Sequence, residues 1–132
     1  MEHDLRAALL GWLRSGPAPL TGLNAVEEET PLRASPPWLG FAASASTDWS
    51  TKDHRGREVR IAFELRTRGD DPAGDSALMR AIGERIEDAP RLHPDFHIAS
   101  IHFLRARTER RANNARSALL EYRIRCLETP TE

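Results

Sequence analysis

The residues best suited to chemistry lie in one short segment, where His93 and His97 flank Asp95. Imidazole and carboxylate side chains at this spacing can bind a metal ion or transfer protons. A stable metal site needs more ligands, and no second cluster with zinc-like spacing completes the set. His102 follows Ser100 by two residues, with no further catalytic group beside them. We therefore expect these histidines to be solvated or packed against neighbours.

No other stretch carries a known catalytic pattern. The sequence lacks a Walker loop, a Gly-x-Ser-x-Gly elbow and a dinucleotide-binding glycine pattern. Asp70 and Asp71 precede Pro72 at an expected helix start, which is typical of a capping pair. Cys126 is the only cysteine, so we expect a small buried residue in a protein from a reducing compartment. The sequence thus predicts no catalytic residue, no cofactor and no metal ion.

A group of arginines near the last chain reversal is the one charge feature that could serve a function. Its members are Arg105, Arg107, Arg110, Arg111 and Arg116. Arginines that alternate on a strand and continue into an exposed turn can bind phosphates or the carboxylates of a partner. Glu109 dilutes the charge, and Tyr122 alone is a nearby aromatic, so a stacking surface for single strands is not indicated. A solvated hairpin, a protein interface and a nucleic-acid contact all stay open.

A long loop from Thr47 to Gly56 is a second candidate contact surface, and it contains Trp49, Lys52 and Arg55. The loop is longer than a hairpin turn requires, so we expect it to project beyond the sheet and contact a partner. An exposed tryptophan is costly unless something covers it. Burial of Trp49 in the core of its own chain is the alternative.

Residues 16–37 are predicted to form a proline-rich extended arm with one short strand near Asn24 to Glu29. Most of the charge of this arm lies in the run of Glu27, Glu28 and Glu29. The arm is either a solvated crossing loop or a binding element, because loops of this length without structure of their own often bind partners.

Apolar residues at helical spacing predict two helices. The first is opened by His3 or Asp4 and ends at Gly16, and its stripe is Leu5, Ala8, Leu9, Trp12 and Leu13. The second begins at Pro72 and ends before Pro90, and its stripe is Leu78, Ala81, Ile82, Arg85 and Ile86.

Alternation of apolar and polar residues predicts four strands. The first puts Leu39, Phe41, Ala43 and Ala45 on one face, and its other face is small enough for a helix or another backbone to approach. The second puts Val59, Ile61, Phe63 and Leu65 inward. The third, from Ile98 to Arg107, puts Ala99, Ile101 and Phe103 opposite Ser100 and His102. The fourth puts Ala118, Leu120, Tyr122, Ile124 and Cys126 on one face, and a helix over Ser117 to Glu128 is its alternative.

The element order therefore predicts an α+β fold, with an antiparallel sheet of about four strands and two helices packed mainly on one face. The 132 residues are expected to form a single domain, 1–132. A net charge of −1 gives no general argument for binding nucleic acid or membranes. The apolar run from Ala7 to Leu13 is too short for a signal peptide or a membrane span, so we expect a cytosolic origin.

Several stretches together resemble a known family. They are the helix Leu5 to Leu10, the proline-rich arm, the strand Gly40 to Ser46, the run Ser46 to Lys52, and Gly56 to Glu58 before a strand of alternating apolar residues. This pattern is similar to that of the tail-completion, or tail-terminator, proteins of siphophages and gene transfer agents. The resemblance extends over nearly the whole chain and is most specific from Thr47 to Glu58.

The resemblance implies a structural subunit without enzymatic activity. It implies a homo-oligomer, a six-membered ring at the head-proximal end of the tail tube, which stops tube growth and joins the tail to a head-tail stopper protein. DNA would pass through the lumen without sequence-specific binding, and no membrane would be involved. The subunit would be made in the bacterial cytoplasm and become part of a phage-like particle.

Oppositely charged surfaces could mediate contacts between copies in such a ring, with Glu27, Glu28 and Glu29 on one copy and the arginine group on the next. A small regulatory or nucleic-acid-binding domain that uses the arginine group is the alternative function. A hydrolase with a site at His93, Asp95 and His97 is a third hypothesis.

Overall fold

The computed structural model describes residues 1–29, 34–70 and 72–129, and these form two helices, a 3-10 turn and one five-stranded sheet. The elements in chain order are α1 (Glu2–Arg14), the 3-10 turn (Leu20–Gly22), β1 (Ala25–Glu27), β2 (Trp38–Asp48), β3 (Gly56–Arg68), α2 (Ala73–Glu87), β4 (Phe96–Arg110) and β5 (Ala115–Glu128). The strands are arranged in the order β1-β2-β3-β5-β4. The predicted α+β class is confirmed.

The strand count and direction need a correction, because the sheet has five strands and is mixed rather than antiparallel with four. The fifth strand is β1, the short strand predicted in the arm, and it pairs in parallel with β2 from Ala25 opposite Trp38 to Glu27 opposite Gly40. The two strands therefore run in the same direction. The other three pairings are antiparallel.

Both helices cover one face of the sheet and enclose a single core. The inward residues of β3 and β5 match the predicted alternation, from Val59 to Leu65 and from Ala118 to Cys126, and all are buried. The strand interpretation of residues 117–128 is therefore confirmed. Helix α1 adds Leu5, Leu9, Leu10 and Leu13, and α2 adds Ile82 and Ile86. Each fully buried side chain of this size contributes about 1.5–3 kcal/mol of transfer free energy.

The alternation predicted for β2 is wrong beyond Phe41. The pairing with β3 shifts between Phe41 and Ala43, so Ala42 is a bulge residue. After the bulge Ser44 and Ser46, not Ala43 and Ala45, lie on the core face opposite Ile61 and Val59. The predicted small side of Gly40, Ala42, Ser44 and Ser46 is therefore not a single face. A helix does approach its second half, where the Ser44 hydroxyl donates a 2.9 Å hydrogen bond to Glu2 at the start of α1.

β4 contains two bulges, between Ile98 and Ser100 and between Phe103 and Arg105. Ile98, Ile101 and Phe103 share the core face, and the predicted placement of Ala99 beside them is wrong because Ala99 is a bulge residue. Beyond Ile101 most residues of this edge strand are exposed. The reversal into β5 is shorter than predicted and contains Asn113 and Asn114 at φ 61° and 59°, a left-handed conformation that asparagine tolerates.

Both helix starts differ from the predicted caps. Helix α1 begins at Glu2, with Met1 at the N-cap position instead of His3 or Asp4. Helix α2 begins at Ala73, with Pro72 at the N-cap position rather than inside the first turn. Asp70 does not cap α2, since no side-chain hydrogen bond caps this helix among the described residues, and its carboxylate accepts a 3.2 Å hydrogen bond from the Asn114 side chain. Asp71 lies outside the described residues.

A half-buried ion pair joins the start of α2 to the sheet. Asp75 accepts a 2.6 Å hydrogen bond from Arg116 Nε on β5 and a 2.8 Å hydrogen bond from Thr67 Oγ1 on β3. These bonds, the one from Arg116 first, hold the pKa of Asp75 below its ordinary value. Arg116 also donates to the carbonyl of Gly69. Arg116 is thus part of the fold rather than of an exposed arginine group.

We expect Gly56→Ala to destabilise the fold by about 1–3 kcal/mol, because a Cβ at this position has no room. It would lie 2.8 Å from the carbonyl oxygen of Cys126, and the Trp49 carbonyl oxygen also lies too close to it. The matched control is Gly11→Ala in α1, where a Cβ meets nothing within 4 Å. That change should stabilise the helix by roughly 0.5–1 kcal/mol. Urea unfolding measures both, and an unchanged midpoint for Gly56→Ala would contradict the packing described.

Asp75→Asn should lower the free energy of unfolding by about 1–2 kcal/mol at pH 7. Because the folded pKa of Asp75 lies below its unfolded value of about 4, its contribution is complete above that value and is lost as the pH falls further. The difference in free energy of unfolding between wild type and variant should therefore become smaller from pH 5 to pH 2. Urea unfolding followed by tryptophan fluorescence tests this, with the exposed Asp53→Asn as control. A gap that stays constant down to pH 2 would refute the role assigned to the carboxylate.

Candidate assembly interface

The loop between β2 and β3 is ordered by its own hydrogen bonds. Trp49 N–H donates to the Gly56 carbonyl at 2.9 Å, and Thr51 N–H donates to the His54 carbonyl at 2.8 Å. The Trp49 ring is half-buried, with the Arg125 guanidinium 5.4 Å from its centroid. Trp49 is therefore outside the core cluster and covered in part by an arginine of β5. Lys52 and Arg55 are exposed.

The acidic arm is bound to the arginines of α1. Glu28 accepts a 2.6 Å hydrogen bond from Arg6 Nε, and this bond raises the pKa of Arg6. Arg6 also binds Glu2 one turn earlier in the helix. Arg14 donates to the Val26 carbonyl at 2.8 Å and lies 3.2 Å from Glu27. Glu27 and Glu29 are exposed, so part of the acidic surface is accessible.

The arginines of β4 and of the turn that follows it differ in how well they are paired. Arg105 binds Glu121 of β5 at 2.5 Å, and the same bond lowers the pKa of Glu121. Arg107 and Arg111 both approach Glu109, at 3.4 and 3.8 Å. Both are exposed, as is Arg110. The predicted group is divided. Arg105 and Arg107 lie on the face of β4 opposite the helices, whereas Arg110, Arg111 and Arg116 line one groove, where Arg116 also binds Asp75.

An open groove of about 750 Å³ lies beside this arginine group, between the end of the β4–β5 hairpin and the turn before α2. Its lining includes the basic residues Arg110, Arg111 and Arg116 and the acidic residues Asp70 and Glu109. Because the two signs of charge are mixed, the groove is not a selective site for an anion.

The acidic and basic residues lie at opposite edges of the sheet. Glu27 belongs to β1 at one edge, and Arg107 belongs to β4 at the other. The register puts Glu27, Gly40, Glu64, Leu119 and Arg107 in one row across the five strands. Glu27 and Arg107 therefore lie at the two ends of the same row, one at each edge of the sheet.

The face of the sheet opposite the helices carries a network of ion pairs. Glu58 on β3 accepts a 3.0 Å hydrogen bond from Arg125 and lies 3.9 Å from both Arg60 and Arg123. Glu64 accepts bonds from Arg66 at 2.8 Å and from the Ser117 hydroxyl at 2.6 Å. The Nε atoms of Arg66 and Arg123 are buried without a hydrogen-bond partner. This face is thus polar and densely charged, with most charges matched locally.

In the histidine segment, His93 packs against a neighbouring aromatic side chain. The His93 ring stacks on Phe96, with centroids 4.5 Å apart, and its Nε2 lies 2.7 Å from the Pro90 carbonyl. Across residues 1–29, 34–70 and 72–129, no group of three or more His, Cys, Asp or Glu side chains is placed to bind a metal ion. No helix in that part of the chain is long and apolar enough to span a membrane.

Sequence reasoning missed the residues that connect these surfaces. Arg6 and Arg14 lie on the polar side of α1, and nothing in their spacing links them to the acidic arm. The ion pairs around Glu58 were signalled only by the outward alternation of charges on β3 and β5. The register that brings Arg123 and Arg125 to Glu58 becomes visible only in the folded sheet.

Comparison with known proteins gives two results. The model of the family Tail completion protein gp17 matches residues 7–127. A chain in the solved structure of the virion of a native gene transfer agent (GTA) particle has a similar fold. Its TM-score is 0.69 at 21% sequence identity, with 95% of each chain covered. The comparison with curated proteins gives no match.

The GTA virion chain supports the fold over nearly the full length. The family match covers most of the sequence, from Ala7 in α1 to Leu127 in β5. The resemblance inferred from the sequence is thereby confirmed. The chain belongs to the tail completion protein gp17 family of structural phage-tail proteins.

Proposed function

We propose that this chain is a tail terminator: six copies form a ring at the head-proximal end of a phage-like tail tube. The ring stops growth of the tube and joins it to a head-tail stopper protein. The subunit acts by binding the tail tube protein, the stopper and copies of itself, with no catalytic step and no cofactor. It assembles in the bacterial cytoplasm and stays in the finished particle.

The placement of charge carries this proposal. A ring needs two different complementary patches on each subunit, because every contact is head-to-tail. Glu27 and Glu29 lie at the β1 edge, and the exposed Arg107 and Arg110 lie at the β4 edge. Since the two edges lie on opposite sides of one sheet, one copy can present its arginines to the acidic edge of the next.

Two further observations support the proposal. The family is one of tail completion proteins, which fits a role at the end of a tail. The chain of similar fold comes from a gene transfer agent virion.

DNA would pass through the lumen of the ring without sequence-specific binding. Charges matched within one subunit, as around Glu58, hold a passing polyanion less strongly than unpaired arginines would.

The decisive experiment is removal of this chain from cells that produce the particle. Electron microscopy should then show tails of uncontrolled length or tails detached from heads, and supplying the chain from a plasmid should restore normal particles. Particles of normal tail length that keep their heads would refute the proposed function. Mass spectrometry of wild-type particles provides the first check, since the proposal requires the chain to be present in them.

Charge reversal at either edge should impair assembly, and reversal at both should restore it. We expect Arg107→Glu with Arg110→Glu to reduce the amount of the chain per particle about tenfold or more, because exposed pairs are worth about 0.2–1 kcal/mol each and reversal adds repulsion. Glu27→Arg with Glu29→Arg should have a similar effect. The quadruple variant should regain most of the loss.

The matched control for this experiment is Arg80→Glu, which reverses an exposed arginine on α2 away from both edges. Quantitative mass spectrometry of purified particles measures incorporation. If the double variants assemble as well as wild type, the two edges do not form the contact between copies.

The exposure of Arg107, Arg110 and Arg111 also supports an alternative, a small regulatory or nucleic-acid-binding domain. A retardation assay with duplex DNA at micromolar protein separates the two functions. Binding that weakens steeply with salt and is lost in Arg107→Glu would favour the alternative. Ring-shaped particles in negative stain would favour the terminator.

A further inference from the structure

The sheet has two stretches of strand edge whose backbone is unpaired among the described residues. β1 pairs only with Trp38 to Gly40, so β2 from Ala42 to Asp48 has β3 as its single neighbour. At the other edge, the connector before β4 bonds to its first residues, with Ile98 N–H donating to the Arg91 carbonyl at 2.7 Å. From Ser100 onward β4 pairs only with β5.

The exposed part of β2 lacks the usual protection of an edge strand. Edge strands avoid pairing with other chains by means of charged residues, prolines or bulges. Residues 43–47 are Ala, Ser, Ala, Ser and Thr, and none of these blocks the approach of another strand. β4 is protected by a bulge at each end of the segment Ser100–Phe103, but not within it. Each edge therefore offers one short segment suited to pairing.

The strand directions make these segments compatible. β2 and β5 run one way, and β3 and β4 run the other way. When a second copy continues the sheet in the same orientation, its β2 lies antiparallel to the β4 of the first copy. Antiparallel pairing is the more stable arrangement and needs no crossover.

On this basis, and resting on the ring proposed above, we propose that Ser100–Phe103 of one copy pairs through its backbone with residues 44–47 of the next. The rows of the sheet fix the expected register. Thr47, Glu58, Arg125 and Ser100 form one row. Ala45, Arg60, Arg123 and His102 form the next. The sheet of the next copy therefore continues with Thr47 opposite Ser100 and Ala45 opposite His102.

The side chains of the two edges complement each other in size. Phe103 is 43% exposed and packs on one side against Tyr122, with ring centroids 5.5 Å apart. Phe103 lies on the same side of the sheet as the small side chains of Ser44 and Ser46, beside the start of α1, where Glu2 accepts a hydrogen bond from Ser44. On the other side of the sheet, Ala43 and Ala45 leave space for His102 and Arg105. Burial of the exposed Phe103 surface adds a hydrophobic contribution that the charged residues alone do not supply.

The same register aligns the charged residues. The row that contains Arg107 on β4 contains Glu27 on β1. When the segment Ser100–Phe103 pairs with β2 of the next copy, Arg107 lies in the same row of the continuous sheet as Glu27 of the next copy. Backbone pairing and the charge contact therefore reinforce each other, the first at one end of the edge and the second at the other.

Disulfide crosslinking between copies tests the register. We expect Ala45→Cys with His102→Cys to form interchain disulfides in purified particles under mild oxidation, giving a ladder of linked chains on a non-reducing gel. Opposed residues of antiparallel strands have Cβ atoms about 4.5–5.5 Å apart, close enough for a disulfide after small adjustments. Cys126 can stay, because it is fully buried and burial raises the pKa of its thiol to about 12.

Three controls keep the result interpretable. His102→Cys is also combined with Ala43→Cys and with Thr47→Cys, which detects a slip of one residue pair in either direction. Ala45→Cys with Glu109→Cys puts the second thiol on the same face of β4 but roughly 20 Å away along the strand. This pair should give no ladder. Each single variant should give dimers at most.

The outcomes separate this inference from the proposed function. Particles that contain the chain but give no ladder with any of the three His102→Cys pairs would overturn the pairing and leave the terminator role intact. Equal ladders from the Glu109→Cys pair would also overturn it. Absence of the wild-type chain from particles would instead refute the proposed function.

Hydrogen exchange on the unmodified protein gives a second readout that needs no cysteine. Backbone amides in residues 42–47 and 100–103 should exchange at least tenfold more slowly in particles than in the free chain. Residues 20–24, which lie away from both edge segments, serve as the internal reference. Unchanged exchange in both edge segments would contradict the pairing.

Discussion

The uninterrupted pairing of β3 with β5 is the constraint on which the rest of the structure depends. Their register runs without a shift from Gly56 opposite Leu127 to Arg68 opposite Ala115. This pair carries the inward side chains against which both helices pack, and its outward side chains form the ion pairs around Glu58. The bulges occur only on the strands outside it, β2 and β4. The bulges therefore lie toward the edges of the sheet, where they change which side chains a partner would contact.

The sequence was a good guide wherever its signal was periodic and local. The alternation from Val59 to Leu65 and the stripe of α1 were sufficient to predict β3 and the first helix correctly. The bulge at Ala42 could not be predicted, because it lies in a run of small residues. In such a run the residue types do not show which side chains face the core and which face outward. Ala99 and Leu104 are apolar residues in an otherwise regular pattern, so their bulges also leave no signal in residue type.

The candidate interface was predictable as two charged groups but not as an arrangement. The sequence identified Glu27 to Glu29 and the arginines from Arg105 to Arg111 as surfaces of opposite charge. It did not place them at the same height on opposite edges, because that depends on β1 joining the sheet in parallel. The bond between Arg116 and Asp75 was missed for a similar reason: the two residues are 41 positions apart in sequence. Long-range pairing of this kind is set by the sheet, not by local spacing.

Many charges of the two edges are already paired within one subunit, and this affects how strongly two copies can bind each other. Arg6 and Arg14 already bind Glu28 and Glu27, and Arg105 already binds Glu121. Each contact between copies in the proposed ring would therefore compete with contacts inside a copy. A single interface then gains little from charge alone, since exposed pairs contribute at most about 1 kcal/mol. The proposed closed ring would change this balance, because two interfaces would hold every subunit and no edge would be left free. Association in the proposed ring therefore becomes favourable when a tail end brings several copies together.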